Sequence, residues 1–219
     1  MYINLNKLKI KEIKEDDDRY PDKLRNICNR PEKLYVIGNE KILNYKSIAI
    51  IGCRDCTQYG KKNALEFGYK LAKNGLCIIS GLARGIDTYA HIGALKAGGL
   101  TIAVLGSGLD IVYPPENINL YKNIVQSGGA IITEYPLGTK PEKFHFPARN
   151  RIISGLSNGV LVIEAKKKSG TIITVDYALE QGKDVYAVPG DITKENSYGT
   201  NELIKEGAIP VTRIDDIQI

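Results

Sequence analysis

The sequence lacks the features of a membrane-embedded or secreted protein. No apolar run in its 219 residues approaches the roughly 18 residues that a membrane-spanning helix needs. The N-terminus carries lysines where a signal peptide would have an apolar stretch. We therefore expect a cytoplasmic protein with no membrane span.

Cysteine and histidine are scarce, with four and two residues respectively. Cys53 and Cys56 form a C-x-x-C pair after a predicted strand, a spacing found in redox centres and zinc sites. No second pair accompanies it, so we interpret both cysteines as small residues of a tight turn. We accordingly expect no metal site and no cofactor.

The residues that are present favour one α/β domain. Hydrophobic residues make up 43% of the chain, which is enough for a sizeable core. The net charge of +5 is a mild bias towards polyanionic partners. From residue 47 onwards, short β-branched runs alternate with helical patterns, which is typical of a doubly wound sheet.

We predict an extended Rossmann-like α/β fold, in which a doubly wound, mostly parallel sheet has helices on both faces. Residues 46–219 form this core, and residues 1–45 are interpreted as an N-terminal extension packed on it. The predicted strands are Ser47–Ile51, Cys77–Ser80, Thr101–Leu105, Ala130–Thr133, Gly159–Glu164, Asp184–Val188 and Ile209–Thr212. The predicted helices are Tyr59–Lys73, Ile86–Ala97, Pro115–Gln126, Pro147–Gly155, Thr171–Gln181 and Thr200–Lys205.

Both halves of the dinucleotide-binding fingerprint are missing. A Rossmann dehydrogenase has G-x-G-x-x-G after its first strand and an acidic residue at the end of its second strand. Here the first turn reads Gly52-Cys53-Arg54, and the second strand ends at Ser80-Gly81 without a carboxylate. A nicotinamide-dependent enzyme is therefore disfavoured.

What remains is a series of glycine-rich turns that carry basic residues. Backbone N–H groups at such turns bind anions, and the carboxyl ends of parallel strands share one edge of a sheet. A row of these turns suits a chain of phosphates better than a single nucleotide, although each glycine has tight packing as its alternative role. The candidate residues are Gly52, Arg54, Ser80, Gly81, Arg84, Gly85, Gly106, Ser107, Gly108, Arg149, Arg151, Lys168, Ser169, Gly170 and Thr171.

Several longer motifs follow one another in unbroken order along the chain. They are SGLARGIDTYAHIGAL, TIAVLGSGLDIVYPPEN, FHFPARNRIISGLSNGVLVIEA, SGTIITVDYALEQGKDVYAVPG and GTNELIKEGA. Together they resemble the DNA-processing protein A (DprA/Smf) family over roughly residues 20–212. The resemblance implies a bacterial protein that binds single-stranded DNA without strong sequence preference and loads the recombinase RecA onto it, typically in natural transformation. It implies no catalysis.

The resemblance also assigns roles to residues of the turns. The family's G-S-R turn falls on Gly52-Cys53-Arg54, so Arg54 is the expected phosphate ligand. Its F-P-x-R-N-R motif falls on residues 146–151 and adds Asn150 to the candidates. Phe144 and Phe146 are candidates for base stacking, with core packing as the alternative. Asp87 and His91, one helical turn apart, are interpreted as a structural pair that orients the turn rather than as a catalytic dyad.

A self-association surface is expected near the C-terminus. Leu203 and Ile204 are adjacent in the last predicted helix and diverge by about 100°, so a helix this short can hardly bury both. Family members dimerise through this region, which implies a two-fold homodimer with Ile204 at its centre; the alternative is that both residues are core. The resemblance further implies a RecA contact near Leu179 and Asp184.

The chain has neither the helical domain nor the winged-helix domain that typical family members carry beside the core. We therefore expect a core-only form. The strongest alternative from the same superfamily is a nucleotide phosphoribohydrolase, but Thr174 stands where its catalytic glutamate would be. A nucleotide-sensing module with one closed pocket is a second alternative. A serine hydrolase is disfavoured because the G-x-S-x-G elbow is absent.

Overall fold

A computed structural model describes residues 9–219 of the chain. Its strands are β1 (Ile10–Lys14), β2 (Lys33–Gly38), β3 (Ser47–Ile51), β4 (Cys77–Ser80), β5 (Thr101–Val104), β6 (Ala130–Thr133), β7 (Gly159–Val162), β8 (Asp184–Ala187) and β9 (Ile209–Pro210). Its α-helices are α1 (Asp22–Arg25), α2 (Gln58–Lys73), α3 (Ile86–Lys96), α4 (Ile118–Gln126), α5 (His145–Leu156), α6 (Gly170–Glu180) and α7 (Glu195–Lys205). None of these helices is long and apolar enough to cross a membrane.

The strands form one sheet in the order β1-β2-β6-β5-β4-β3-β7-β8-β9. From β6 to β9 every neighbouring pair is parallel, whereas β1 and β2 are added antiparallel at one edge. Consecutive parallel strands need crossover connections, and helices supply them here. The predicted Rossmann-like, mostly parallel fold is confirmed.

Both faces of the sheet are buried because the central strands are apolar throughout. In β3, Ile48 and Ile50 face helices α2 and α3, while Ala49 and Ile51 belong to the core on the opposite face. Helix α4 extends the first of these layers, and α1, α5, α6 and α7 supply the second. The result is a three-layer sandwich in which every turn after a parallel strand emerges at one edge.

Two parts of the structure differ from the sequence prediction. Residues 10–38 contribute two strands, β1 and β2, to the same sheet. The charges of β1 conceal it in the sequence, because β1 is an edge strand and exposes one side to solvent. Helix α7 begins at Glu195 rather than at Thr200. Its first turn is held by tertiary hydrogen bonds of the buried Asn196, which donates to the carbonyl oxygen of Asp55 at 3.0 Å and to Glu164 at 3.3 Å.

The longer α7 also corrects the prediction for Leu203. This side chain is buried in the main core cluster, and Ile204 is half-buried against the same cluster. An eleven-residue helix packs a wider apolar face than the short helix that the sequence suggested. Leu203 is therefore a core residue and not part of a free surface.

Candidate nucleic-acid interface

The carboxyl edge of the sheet brings the predicted turns together. The strand order β5-β4-β3-β7 places the turns after these strands side by side. The first two turns are packed against each other: the N–H of Ile86 donates to the carbonyl oxygen of Cys53 at 3.1 Å. A Cβ atom at Gly85, where φ is +71°, would lie 2.2 Å from that same oxygen. Gly52 is confined as well, because a Cβ atom there would lie 2.8 Å from the carbonyl oxygen of Glu164.

The backbone N–H groups after β4 are already used by the protein itself. The carboxylate of Asp87 accepts hydrogen bonds from the N–H of Gly81 at 3.0 Å and of Ala83 at 3.3 Å. Burial raises the pKa of Asp87, and the nearby positive charge of Arg149 acts in the opposite direction. An internal anion thus occupies the nest that the sequence suggested for a phosphate.

The first helix of the parallel sheet shows the same arrangement. Glu164, at the end of β7, accepts a hydrogen bond from the N–H of Thr57 at 2.9 Å and another from the hydroxyl of the same residue. Thr57 is the N-cap of α2, so the carboxylate lies at the positive end of this helix. The side chain of Glu164 is only 2% exposed.

The turn after β5 is packed inside the protein. The hydroxyl of Ser107 donates to the carbonyl oxygen of Ile111 at 2.8 Å, and the N–H of Gly108 donates to Thr139 at 2.9 Å. Ser80 is also buried, and its hydroxyl donates to the carbonyl oxygen of Ile50 at 2.7 Å. Ser80, Ser107 and Gly108 were predicted to contact phosphate, and this prediction is wrong. Their polar groups already have partners inside the protein and are not exposed.

Arginine side chains, rather than backbone N–H groups, form the exposed positive surface. They surround a shallow pocket at the centre of this edge. The pocket is lined by Arg54, Gly81, Ala83, Arg84, Tyr113, Pro114, Phe146 and Arg149.

Arg149 forms the floor of this pocket. It extends from α5, is 4% exposed, and donates from Nη1 to the carbonyl oxygens of Gly81, at 2.8 Å, and Val104. Burial lowers the pKa of Arg149 to about 10, although the negative charge of Asp87 partly opposes this. The residue is therefore both a structural link between two strand ends and a positive group beneath the pocket.

Arg54 and Arg84 form the exposed rim. Arg54 lies over the ring of Phe146, with its guanidinium carbon 5.1 Å from the ring centroid, and it makes no ion pair with any residue between 9 and 219. Arg84 instead pairs with the exposed carboxylate of Glu116, which raises the pKa of Arg84 and lowers that of Glu116. Arg54 is thus the uncompensated charge of the pocket.

Aromatic side chains accompany these arginines. The rings of Phe146 and Tyr113 lie 5.5 Å apart, and Tyr113 is itself partly exposed. Phe144, at the beginning of α5, is 65% exposed, so it is not a core residue. Its ring contacts the edge of His145, which stacks against Tyr135 with ring centroids 4.1 Å apart. Exposed rings beside arginines are the usual components of a surface for single-stranded nucleic acid.

Arg151 lies outside this pocket. Its guanidinium forms a two-point ion pair with Glu134, at 2.6 and 2.7 Å, and also donates to the carbonyl oxygens of Asn29 and Ala148. Both partners of the ion pair are largely buried. Because the donors of Arg151 are engaged inside the protein, its prediction as a phosphate ligand is wrong. We assign Arg151 a structural role.

The beginning of α6 lies at the same edge, beside α5. The hydroxyl of Ser169 caps the helix by accepting from the N–H of Thr171 at 3.1 Å, and Asn150 donates to the carbonyl oxygen of Gly170 at 3.3 Å. Thr171 is buried, whereas Lys168 is exposed and has no ion pair in residues 9–219. Lys168 is the member of this group that is free to contact a ligand.

Asp87 and His91 do not form the predicted pair. Asp87 binds the turn after β4, as described above, whereas His91 contacts the hydroxyl of Thr101 at 2.7 Å through Nδ1. The expected orientation of the turn by Asp87 is therefore present, but without the histidine.

The C-x-x-C cysteines are not arranged as a reactive centre. Cys53 is buried, and burial raises the pKa of its thiol to about 11; burial also raises the pKa of Cys56. Within the part of the chain that the structure describes, no cluster of three or more His, Cys, Asp and Glu side chains is placed to hold a metal ion.

Besides Ala83, which also lines the pocket, three contributors to the site were not predicted from the sequence. Tyr113 and Pro114 line the pocket, and Glu116 neutralises Arg84. All three belong to the segment YPPEN, which leads into α4 and has no glycine or basic residue to mark it. The aromatic–proline pair was the available signal, but only the fold brings it to this edge.

The fold and site place the chain in the class of Rossmann-like α/β proteins, with an arginine-lined pocket at the carboxyl edge of a mostly parallel sheet. The family model for DNA recombination-mediator protein A matches residues 11–219, and the chain belongs to this family. The resemblance noted in the sequence is thereby confirmed.

Similar proteins include the DNA processing protein DprA of Streptococcus pneumoniae, which is 46% identical over 201 residues. The match covers 92% of this chain and 71% of that protein. The Smf protein of Escherichia coli is 44% identical over 205 residues, covering 94% of this chain and 55% of that protein. The chain therefore spans between about half and three quarters of the length of these relatives.

Two solved structures have the same fold. The S. pneumoniae DprA structure superimposes with a TM-score of 0.90, covering 95% of this chain and 73% of that one. The DNA processing protein A of Helicobacter pylori, whose structure concerns its single-stranded DNA binding mode, has a TM-score of 0.86 at 32% identity. That match covers 96% of this chain and 94% of the other.

Proposed function

We propose that this protein binds single-stranded DNA along the carboxyl edge of its sheet. The observation that carries the proposal is Arg54, an exposed arginine without an ion pair in residues 9–219 that lies over Phe146 at the rim of a pocket floored by Arg149. Phosphates contact the arginines, and unstacked bases contact the rings. The H. pylori relative supports the proposal because its structure concerns single-stranded DNA binding.

A single strand fits this surface better than a duplex does. Stacking needs bases whose faces are accessible, and the rings of Phe144, Phe146 and Tyr113 offer such partners. Stacking and phosphate contacts are also tolerant of sequence, so binding is expected to show little sequence preference. The remaining contributors that we propose are the exposed side chains of Arg84 and Lys168.

We further propose a homodimer and a RecA contact. Ile204 is half-buried, and Ile209 on the adjoining edge strand is partly exposed, which supports an apolar contact between two copies here.

Leu179 is 61% exposed and Asp184 is exposed, as a contact with RecA requires. In this proposal the protein protects single-stranded DNA in the cytoplasm, loads RecA onto it during transformation or other recombination, and catalyses no reaction.

The decisive experiment is a titration of fluorescent oligonucleotides of several lengths, single-stranded and double-stranded, at two salt concentrations. The proposal predicts tighter binding to single strands, with an affinity that rises with length and falls with salt. An affinity that is equal for both forms, or that is saturated by a mononucleotide, would contradict it. The second result would favour the nucleotide-sensing alternative.

A further inference from the structure

Glu164 occupies the place at which folds of this kind hold a phosphate. Helix α2 follows β3, the first parallel strand, and in dinucleotide-binding folds the pyrophosphate lies at the start of that helix. Here the N–H and the hydroxyl of Thr57, the N-cap of α2, both donate to the Glu164 carboxylate. A carboxylate of the protein itself therefore takes up two donors at the start of this helix.

The carboxylate is held tightly in this position. A Cβ atom built on Gly60, in the first turn of α2, would lie 2.3 Å from Glu164 Oε2, so the carboxylate is in direct contact with the helix backbone. On the other side, Asn196 of α7 donates to Oε2 at 3.3 Å. The main chain of Glu164 is fixed as well, since its carbonyl oxygen accepts the N–H of Cys53 at 3.0 Å. The carboxylate therefore lies between the first turn of α2 and Asn196, in the place that a phosphate at this helix start would take.

We propose that Glu164 is a built-in anion that excludes phosphate groups, and hence nucleotides, from the helix-start site of this fold. It is a specificity-determining residue: phosphates contact arginine side chains at the surface because the backbone site is filled. The proposal concerns the α2 site alone and holds whether or not the arginine pocket binds DNA. Truncating Glu164 should uncover an anion site formed by Thr57 and Asn196.

The test measures the thermal unfolding of three proteins: the wild type, Glu164→Ala and Glu164→Gln. Each is measured in acetate, in inorganic phosphate and in chloride at matched ionic strength, and chloride is the reference. Acetate has the size of the group that Glu164→Ala removes. We expect both anions to raise the melting temperature of Glu164→Ala saturably, by about 2 °C or more beyond the wild-type response. Glu164→Gln should not respond more than the wild type, because its amide still fills the site. Glu66→Ala, which removes an exposed carboxylate of the same helix, is the matched control.

The outcomes separate the steps of the proposal. If neither anion stabilises Glu164→Ala more than the wild-type protein, no anion site lies beneath the carboxylate and the proposal fails. A response to acetate without one to phosphate also overturns it, because the uncovered site would then be too small for a phosphate even without Glu164. Should Glu164→Ala not fold in chloride, the recovery of soluble folded protein after refolding in phosphate or in chloride is compared instead. Equal recovery would then refute the proposal.

Discussion

The guanidinium of Arg149 lies directly against the backbone of Gly81. Nη1 donates to the carbonyl oxygen of Gly81 at 2.8 Å, and a Cβ atom at position 81 would be 2.5 Å from Nη2. A real Cβ cannot approach that closely, so residue 81 has to be glycine for Arg149 to keep its place. The turn after β4 and the floor of the pocket therefore depend on each other.

Gly81→Ala should displace Arg149 and destabilise the protein. Overpacking a buried site costs about 1–3 kcal/mol of unfolding free energy, which urea denaturation measures. The matched control is Gly170→Ala, because a Cβ atom there would have no neighbour within 4 Å in the described part of the chain. If the two substitutions affect stability equally, the contact between Arg149 and Gly81 does not constrain the turn.

Arg54→Ala tests the uncompensated charge of the pocket. We expect weaker binding to all single-stranded sequences alike, and a log–log salt dependence that is less steep by about 0.7, the value for one lost phosphate contact. Lys96→Ala is the control, since this exposed lysine lies in the last turn of α3 at the opposite edge of the sheet. An unchanged salt slope in a folded Arg54→Ala protein would remove Arg54 from the interface.

The fold was predictable because its signal is local and repeated. Strands such as Ser47–Ile51 are apolar at every position, and helices such as α2 and α3 follow glycine or threonine at a turn. The glycine-rich turns that meet at the carboxyl edge could also be predicted, because the topology brings the ends of parallel strands to one edge, whereas Tyr113 and Pro114 could not.

The sequence did not predict which side chains of the protein itself bind the backbone of each turn. Nothing in the spacing shows that Asp87 and Glu164 fill the backbone nests, or that Glu134 engages Arg151, because these partners are distant in sequence or on other elements. The sequence indicates which residues are basic, but pairing decides which of them remain free.

His91 should make the protein sensitive to acid. The hydroxyl of Thr101 donates to the carbonyl oxygen of Ile78, so His91 Nδ1–H must donate to that hydroxyl. Nε2 is buried and has no hydrogen-bond partner among residues 9–219. Burial lowers the pKa of His91 from 6.5 to about 3. Between these values the unfolded chain binds a proton that the folded chain does not, so stability is present above pH 6.5 and lost as the pH falls.

We expect this residue to remove about 1.4 kcal/mol of unfolding free energy for each pH unit below 6.5. His91→Asn keeps a donor near the position of Nδ1 without a titratable group. The difference in urea stability between the two proteins should therefore narrow as the pH is lowered from 7 to 4. Parallel stability curves would show that His91 does not titrate on unfolding.

Ile204→Glu tests the proposed homodimer. Because Ile204 is only half-buried, a charge there should be tolerated in a folded subunit but not in an apolar contact between two copies. We expect light scattering to report a monomer that still binds short oligonucleotides. Leu203→Glu is the contrasting variant and should unfold, since Leu203 is core. A dimeric Ile204→Glu protein would place the interface elsewhere.

We expect Glu116 to compete with DNA for Arg84. Its carboxylate and the guanidinium of Arg84 are both exposed, and they form an ion pair at the rim of the pocket. A phosphate that binds Arg84 must first displace this carboxylate, and the carboxylate also repels the DNA backbone. Exposed pairs contribute little to stability, so Glu116→Gln should leave the fold unaffected.

We therefore expect Glu116→Gln to bind single-stranded DNA more tightly than the wild-type protein does. Its log–log salt dependence should be steeper by up to about 0.7, because Arg84 becomes available for one further phosphate contact. The double variant Glu116→Gln with Arg84→Ala should lose this gain, which separates the release of Arg84 from a general loss of negative charge. If the gain persists in the double variant, long-range repulsion accounts for it and Arg84 does not contact the strand. Should Glu116→Gln bind no more tightly at all, Arg84 is a structural partner of Glu116, and the interface is confined to Arg54, Arg149 and the aromatic rings beside them.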